Sequence, residues 1–139
     1  MSQGQAIELS KHRLARAHET HTEACECLAN ERFLVANNRA YYAIFHAVRA
    51  ILALDGVDFK KHSAVIAYFR EHYIKTKQLD KKLSDKVHNA SIIRNKSDYE
   101  DFYIASKDEA TAQVNEAESF IAAVEEYLAV RWQDAGCEG

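Results

Sequence analysis

The chain has 139 residues, a length at which one domain with its own hydrophobic core is expected over 1–139. It contains no proline and only four glycines, and of these Gly56 alone lies in the interior of the sequence. Turn-forming residues are therefore too few for a β-rich fold, and the composition favours long helices with short connections.

The formal net charge of −3 hides an uneven distribution along the chain. Residues 60–96 contain ten basic and three acidic residues, whereas residues 97–139 contain two basic and eleven acidic ones. A local positive field of this kind suits phosphate or nucleic acid. Alternatively, the basic and acidic helices pack side by side and neutralise one another.

Membrane and redox signals are weak. No stretch approaches the length of a transmembrane run, and the first residues lack the basic-then-apolar layout of a signal peptide, so a cytoplasmic protein is expected. Cys25, Cys27 and Cys137 lack CxxC spacing, which argues against a disulfide framework or a zinc knuckle. We expect Cys25 and Cys27 to be small packing residues.

Apolar periodicity predicts a first helix over about 6–30 and a second from 33 or 38 to 54, with Gly56 as its C-terminal cap. The inward face of the first helix is predicted to comprise Ile7, Leu14, Ala17, His21, Ala24 and Leu28. The inward face of the second is predicted to comprise Tyr41, Ile44, Phe45, Val48, Ile51 and Leu52.

A third helix is predicted over 62–74 and a fourth over 79–95, with 97–104 as a connection. The inward residues of these two helices are Val65, Tyr68, Phe69, Tyr73, Leu83, Val87 and Ala90. A capping box at Ser106 and Glu109 opens a fifth helix, whose seven-residue repeat is Ala110, Val114, Ala117, Ile121, Val124 and Leu128. The predicted fold is an all-α, up-and-down bundle of four to five helices, with a core over 6–132 and a frayed tail over 133–139.

Arg94 is the anomaly of the fourth helix, because the stripe that ends at Ala90 continues by one turn to this arginine and then to Asp98. A charge on an inner face is costly unless it is paired or functional. Arg94 beside Asn95 is suited to hold a phosphate and to stabilise charge that develops on it. Alternatively, Arg94 and Asp98 form an ion pair that ends the helix.

A line of polar residues follows one face of the second helix at steps of three, four and three: Arg39, Tyr42, His46 and Arg49. Such a line can grip phosphate and stack on a base. The alternative is a partly solvated helix edge whose long side chains lie along the core.

His18, His21 and Cys25 share a face of the first helix and are candidate metal ligands, but no Glu-x-x-His motif accompanies them. Ordinary packing is the favoured interpretation, and no cofactor is expected. The chain also lacks a nucleophile elbow and a glycine-rich phosphate loop, so metabolic-enzyme classes find no support.

Three segments together resemble the HEPN domain family: 38–47 (NRAYYAIFHA), 61–63 (KHS) and 93–99 (IRNKSDY). The resemblance extends from about 14 to 128 and implies an all-helical bundle that is often dimeric. It also implies RNA or nucleotide binding, since many members are metal-independent ribonucleases. Many small prokaryotic members form a toxin–antitoxin pair with a minimal nucleotidyltransferase, so a homodimer and a nucleotidyltransferase antitoxin are the expected partners.

Arg94 and Asn95 match the start of the family's Arg-polar-spacer-His motif, but Tyr99, Glu100 and Asp101 occupy the positions where the histidine is expected. The resemblance thus implies Arg94, Asn95 and Tyr99 as candidate catalytic residues, with Tyr99 or Tyr103 as a possible nucleotide acceptor. The candidate RNA-binding residues are Arg39, Tyr42, His46, Arg49, His62 and Asp98. Whether the protein is an enzyme stays open at this point. The second hypothesis is a non-catalytic helical module that docks an acidic protein partner.

Overall fold

The computed structural model describes residues 2–138, and these form an all-α bundle with no strand among them. The five helices are α1 (Gln3–Ala29), α2 (Phe33–Leu54), α3 (His62–Phe69), α4 (Lys81–Tyr99) and α5 (Lys107–Glu138). A turn of π-helix, Arg70–Ile74, continues α3. The predicted fold class is confirmed.

Local sequence explains where several helices begin and end. Ser2 and Gln5 form a capping box at the start of α1, and Asp80 accepts a hydrogen bond from the Lys82 backbone N–H (2.8 Å) at the start of α4. At the end of α2, Gly56 adopts a φ of +71°, and the Val57 N–H donates to the Leu52 carbonyl (3.0 Å). The predicted role of Gly56 as a C-terminal cap is therefore confirmed.

Helix α2 is the centre of the bundle and packs against the other four helices. All six residues predicted for its inward face are buried, and so are all six positions of the seven-residue repeat in α5. Ala40, Ala43, Ala47 and Ala50 are fully buried as well, so that neighbouring helices approach the α2 backbone closely. The core thus forms around an alanine-rich helix with large side chains on both sides.

Ser10 joins three helices inside this core. Its hydroxyl donates to the Ala50 carbonyl of α2 (2.7 Å) and accepts a hydrogen bond from the indole N–H of Trp132 on α5 (2.9 Å). Ser10 is completely buried, so both hydrogen bonds are needed to offset the removal of its hydroxyl from water.

A second polar junction is made by Arg131, the residue that directly precedes Trp132 in α5. Arg131 of α5 donates two hydrogen bonds to the carboxylate of Asp55 (2.7 and 3.1 Å), and the Tyr73 hydroxyl donates to the same carboxylate. Partial burial disfavours the Asp55 carboxylate, but these donors outweigh it and lower its pKa. The junction links the end of α2, the π-helical turn and α5.

The structure differs from the sequence predictions in the buried face of α1 and in the third helix. In α1 the buried positions include Ala6, Ser10 and Thr20, whereas Ile7 is only partly buried, because α1 turns its small residues toward the alanine-rich face of α2. The predicted third helix is not continuously α-helical, since the last residues of 62–74 form the π-helical turn. Tyr68 is half-buried.

The fourth and fifth helices are longer at their C-terminal ends than the sequence pattern predicted. Helix α4 continues through Tyr99, because Ser97 and Asp98 accept hydrogen bonds from Asn37 (3.2 Å) and Asn38 (3.0 Å) of α2. Helix α5 continues through Glu138, the fraying of 133–139 stays a prediction, and Gly139 lies outside the described residues. Within residues 2–138, no helix is long and apolar enough to cross a membrane.

Candidate functional site

The guanidinium of Arg94 lies between α2 and α4, surrounded by tyrosine rings. Its Cζ atom is 5.2 Å from the ring centroid of Tyr41, 5.4 Å from that of Tyr42 and 5.6 Å from that of Tyr99. A cation over the face of an aromatic ring is attracted by the ring quadrupole, more strongly where water is excluded. The Arg94 side chain is 18% exposed, so it is largely shielded from water but still accessible to a ligand.

Polar contacts fix the orientation of this guanidinium. Nη2 donates to the Tyr42 hydroxyl (3.0 Å), Nη1 donates weakly to Asn95 Oδ1 (3.4 Å), and Nε lies 3.0 Å from Asp98 Oδ2. The predicted ion pair between Arg94 and Asp98 is therefore formed, although the Nε–H is not aimed at the carboxylate as a hydrogen bond. Burial opposes the charge on Arg94, but Tyr42, Tyr99 and Asp98 together raise its pKa.

Asp98 is itself held by α2. Asn38 Nδ2 donates to both oxygens of the Asp98 carboxylate (3.0 and 3.3 Å), and Asn38 Oδ1 accepts from Arg39 Nε and Nη2 (3.0 and 2.8 Å). Arg39 also lies 3.7 Å from Glu23 of α1. A polar chain thus runs from α1 through α2 to the end of α4, and it positions the carboxylate that faces Arg94.

The structure places His62 beside Arg94, although it belongs to a different helix. His62 Nδ1 is 3.1 Å from the Tyr41 hydroxyl, and the imidazole stacks on Phe45 with 4.0 Å between ring centroids. Burial, followed by the charges of Arg94 and Arg49, lowers the pKa of His62. The imidazole is consequently neutral at neutral pH, the state in which it can accept a proton.

Two clefts meet at His62. One has a volume of about 310 Å³ and is lined in part by Tyr41, His62, Arg70, His88, Arg94 and Asn95. The other has a volume of about 450 Å³ and is lined by Phe45, Arg49, Asp58, Phe59, Lys60 and His62. The combined surface is concave and carries aromatic, cationic and hydrogen-bonding groups, which suits a nucleotide better than an apolar ligand.

The predicted polar line on α2 is only partly directed at these clefts. Arg39 lies over the Tyr42 ring at 5.2 Å, and the His46 ring is 6.5 Å from that of Tyr42. Arg49 donates to both oxygens of Asp58 (3.0 and 3.1 Å), which also accepts from Arg13. Asp58 thus satisfies much of the charge of Arg49.

His46 is unlike the other members of this line. Burial, together with the charges of Arg16, Arg49 and Arg39, lowers the pKa of His46 to about 4. At neutral pH His46 is therefore uncharged, and it adds ring surface and hydrogen-bonding atoms but no positive charge.

The three residues considered for a metal site on α1 make other contacts. His18 Nε2 lies 3.0 Å from Glu125 Oε2, His21 Nε2 lies 3.2 Å from the Val114 carbonyl, and the Cys25 thiol is 3.8 Å from the His21 ring. Among the described residues, no group of three His, Cys, Asp or Glu side chains is arranged to hold a metal ion.

Two residues of the site were missed as site residues. Tyr41 was assigned to the apolar face because its ring continues that stripe, yet its hydroxyl contacts His62. Asn38 lies within the family-like segment 38–47, and its amide holds Asp98. Asn38 directly precedes Arg39, the first residue of the polar line, and this position was the one sequence signal that it belongs to the site.

Comparison with known proteins agrees with this architecture. A model of the HEPN domain matches residues 10–127. A UPF0332 protein of Thermotoga maritima is 34% identical over 113 residues, which cover 81% of this chain and 86% of that protein. "Putative toxin MJ0142" of Methanocaldococcus jannaschii is 34% identical over 122 residues, which cover 87% of this chain and 82% of that protein. "Putative toxin MJ0605" of the same organism is 29% identical over 112 residues, which cover 81% and 83%. The family match spans most of the helical bundle, Arg94 and its tyrosines included, and the chain belongs to the HEPN domain family.

Proposed function

We propose that this protein binds RNA at the Arg94 cleft and acts as the toxin-like half of a toxin–antitoxin or defence pair. The observation that carries the proposal is the placement of Arg94 and His62 in one cleft, with tyrosine rings around the guanidinium. The names of two relatives as toxins support the toxin-like role. A nucleotidyltransferase antitoxin is the proposed partner, and the cytoplasm is the proposed location.

Arg94 is suited to bind an RNA phosphate. A guanidinium presents five N–H donors in a planar fork that matches two phosphate oxygens. Only one strong hydrogen bond, to Tyr42, uses the Nη atoms, because the contact with Asn95 is 3.4 Å long. Nη1 therefore keeps donor capacity toward a phosphate, while the tyrosine rings supply faces on which a base can stack.

Metal-independent RNA cleavage is a second candidate, favoured by the position of His62. If His62 Nδ1–H donates to the Tyr41 oxygen, Nε2 is free to accept the proton of a 2′-hydroxyl as that oxygen attacks the adjacent phosphorus. The P–O5′ bond breaks, and the leaving oxygen takes a proton from a protonated side chain or from water. Arg94 would stabilise the extra negative charge on the phosphorane.

Tyr99 has a separate role in this proposal. Its ring is 71% exposed, whereas the hydroxyl of Tyr103 is buried without a hydrogen-bond partner. Of the two tyrosines, Tyr99 is thus the one that a partner nucleotidyltransferase can reach as a nucleotide acceptor. In that reaction the Tyr99 oxygen would attack the α-phosphorus of a nucleoside triphosphate and pyrophosphate would leave, so incubation with the partner and an α-phosphate-labelled nucleoside triphosphate should label the wild type and leave Tyr99→Phe unlabelled.

RNA binding can be tested by fluorescence anisotropy with a labelled single-stranded RNA and EDTA. Arg94→Ala should weaken binding at least tenfold. Arg32→Ala, at an exposed arginine outside the Arg94 cleft, should change the RNA affinity less than about twofold. Equal affinity of wild type and a folded Arg94→Ala variant would refute the proposal. Arg94→Lys, which keeps the charge, replaces Arg94→Ala if the alanine variant does not fold.

Cleavage is read from the same RNA on a denaturing gel. Products that form in EDTA and disappear in both Arg94→Ala and His62→Gln would support the nuclease candidate. Binding without products would leave RNA binding as the function and remove cleavage. Neither binding nor cleavage would favour the alternative of a non-catalytic module that docks an acidic partner.

A further inference from the structure

An open groove lies where the π-helical turn and the connection after it meet the start of α4. Its volume is about 980 Å³, and its inner surface is mostly apolar, with Ala67, Ile74 and Leu79 among the lining residues. The lining, which belongs entirely to the described part of the chain, contains no aromatic ring on which a base could stack. The groove therefore suits an aliphatic chain, in contrast to the Arg94 cleft with its tyrosine rings.

Positive charge surrounds this apolar surface and is only partly neutralised. Of the two carboxylates in the lining, Glu71 is paired with Lys75 (3.2 Å), and Asp80 accepts from a backbone N–H at the start of α4 (2.8 Å). The other charged residues of the lining are Arg70, Lys77 and Lys81. Within residues 2–138, no carboxylate forms a salt bridge with any of these three. The groove is thus complementary to an anionic group.

Arg70 is oriented for binding such a group. Its Nε donates to the Ser84 hydroxyl (3.1 Å), which fixes the plane of the guanidinium. Its two Nη atoms make no hydrogen bond within the described part of the chain, so a pair of parallel N–H donors is available. Two such donors match the two oxygens of a carboxylate or of a phosphate. Arg70 is partly buried, and water therefore screens its charge less than that of a fully exposed side chain.

The connection that forms one wall of the groove has a fixed conformation. Lys77 has a φ of +63°, which is costly for a residue with a Cβ atom. The backbone N–H groups of Lys77 and Leu79 donate to carbonyls of the π-helical turn (2.9 Å each), and Gln78 Oε1 accepts from the Tyr127 hydroxyl of α5 (2.7 Å). Strained residues and π-helical turns both concentrate at functional sites. A preformed wall also lowers the entropy cost of binding.

We propose that this groove binds an anionic amphiphile, an aliphatic chain that ends in a carboxylate or a phosphate. The chain would lie on Ile74 and Leu79, and the head group would accept from the Nη atoms of Arg70 and face Lys77 and Lys81. The ligand is a single soluble molecule, because a concave surface encloses one chain, whereas a bilayer requires a projecting apolar face.

This site does not rest on RNA binding at Arg94, and the two proposals can fail separately. The groove and the Arg94 cleft share Ala67 and Arg70 but no other lining residue. Arg94→Ala should therefore leave the amphiphile affinity unchanged while it weakens RNA binding.

Isothermal titration calorimetry with octanoate, decanoate, dodecanoate and dodecyl phosphate, all below their micelle concentrations, measures binding. The affinity should rise about three- to tenfold for each added pair of methylenes, because an open groove buries part of the surface of each one. Inorganic phosphate has a head group without a chain, and dodecyltrimethylammonium has the same chain with a cationic head. Each should bind about tenfold or more weakly than dodecyl phosphate.

Two neighbouring lysines of α4 provide a matched pair of variants. Lys81→Glu should weaken dodecanoate binding about tenfold, whereas Lys82→Glu, outside the lining but with the same change in net charge, should alter it less than about twofold. Lys77→Gly removes a cation and also relieves the positive φ, so it should weaken binding without loss of stability in urea. Far-ultraviolet circular dichroism should show the same helical content in all three variants.

Four results would overturn the proposal. The first is a wild type that binds neither dodecanoate nor dodecyl phosphate. The second is equal binding of dodecyltrimethylammonium, or equal effects of Lys81→Glu and Lys82→Glu, since apolar contact or net charge alone would then explain the data. The third is binding to phosphatidylglycerol vesicles without binding of the monomeric amphiphiles, which would identify a membrane surface. The fourth is RNA binding that depends on Lys81 in a protein that binds no amphiphile, because the groove would then extend the RNA cleft.

Discussion

The Tyr42 hydroxyl of α2 accepts a hydrogen bond from Arg94 Nη2 of α4 at 3.0 Å, across a separation of 52 residues. The same Tyr42 ring has two cations close to it, since Arg39 and Arg94 are 5.2 and 5.4 Å from its centroid. One tyrosine therefore orients the arginine of the site through its hydroxyl and attracts two guanidinium groups through its ring. This arrangement makes the orientation of Arg94 testable apart from its charge.

Tyr42→Phe removes the hydrogen bond and keeps the ring. We expect a loss of about 1 kcal/mol in the free energy of unfolding, as for a partly buried hydrogen bond. RNA affinity should fall by less than in Arg94→Ala, because the charge stays while its orientation is relaxed. Urea unfolding and anisotropy measure the two effects. An affinity loss as large as that of Arg94→Ala would mean that Tyr42 contacts the RNA itself.

Arg131→Ala breaks the junction at Asp55. The variant leaves a half-buried carboxylate with Tyr73 as its remaining side-chain donor, so the free energy of unfolding should fall by about 1–3 kcal/mol. Lys75→Ala is the control, because Lys75 and Glu71 form an exposed pair one turn apart and should contribute less than about 0.5 kcal/mol. Equal losses in the two variants would contradict this ranking.

The same junction has a pH signature. Its donors lower the pKa of folded Asp55, so its contribution is present above the pKa of an unfolded aspartate and is lost as pH falls through the lower folded value. The stability difference between wild type and Arg131→Ala should therefore shrink on acidification below about pH 4. Urea unfolding at pH 7 and at pH 3 measures this, and a constant difference would rule out the linkage.

His46 should make the free energy of unfolding depend on pH in a higher pH range than Asp55 does. Its folded pKa is lowered from 6.5 to about 4, so the unfolded chain binds more protons between these values and stability falls as pH drops across them. His46→Gln should flatten this part of the profile by an amount on the order of 1 kcal/mol, since the half-exposed ring is screened by water. Urea unfolding of both proteins at intervals between pH 7 and pH 4 measures the two profiles. Identical pH profiles for the wild type and His46→Gln would contradict the lowered pKa.

Two Gly→Ala substitutions should change the free energy of unfolding in opposite directions. Gly56 has a φ of +71° with open space around its Cβ position, so Gly56→Ala should cost about 1–2 kcal/mol through backbone strain alone. Gly136 lies within α5 and also has open space, so Gly136→Ala should stabilise the helix by up to about 1 kcal/mol. Thermal unfolding measures both. Stabilisation by Gly56→Ala would contradict the left-handed cap.

The helices were predictable from sequence because their signals are local. The six inward positions of α2 and the six of α5 follow from apolar spacing, and Gly56 marks a helix end whatever the neighbours are. The end of α4 was not predictable in this way. Its last turn depends on Asn37 and Asn38, which belong to another helix and are distant in sequence.

The site was predictable in its parts but not in its assembly. The spacing in α4 predicted Arg94 as an unusual residue and Asp98 as its ion-pair partner. Spacing along one helix carries no information about a neighbour, so it could not bring His62 to the Arg94 cleft or assign Asp58 to Arg49. The low pKa of His46 depends on burial and on Arg16 of another helix, so it could not be predicted from spacing along α2 either.

The Ser10 hydroxyl has a practical consequence for engineering the chain. It is the acceptor for Trp132, near the end of α5, so a deletion that removes residues from Trp132 onward would take away one of the two hydrogen bonds of a completely buried hydroxyl in α1 and leave only the bond to the Ala50 carbonyl. Deletion of 133–138 alone would spare this hydrogen bond. A shortened variant for crystallisation or for fusion to a reporter should therefore end after Trp132, and the two ends of the sequence cannot be trimmed independently of each other.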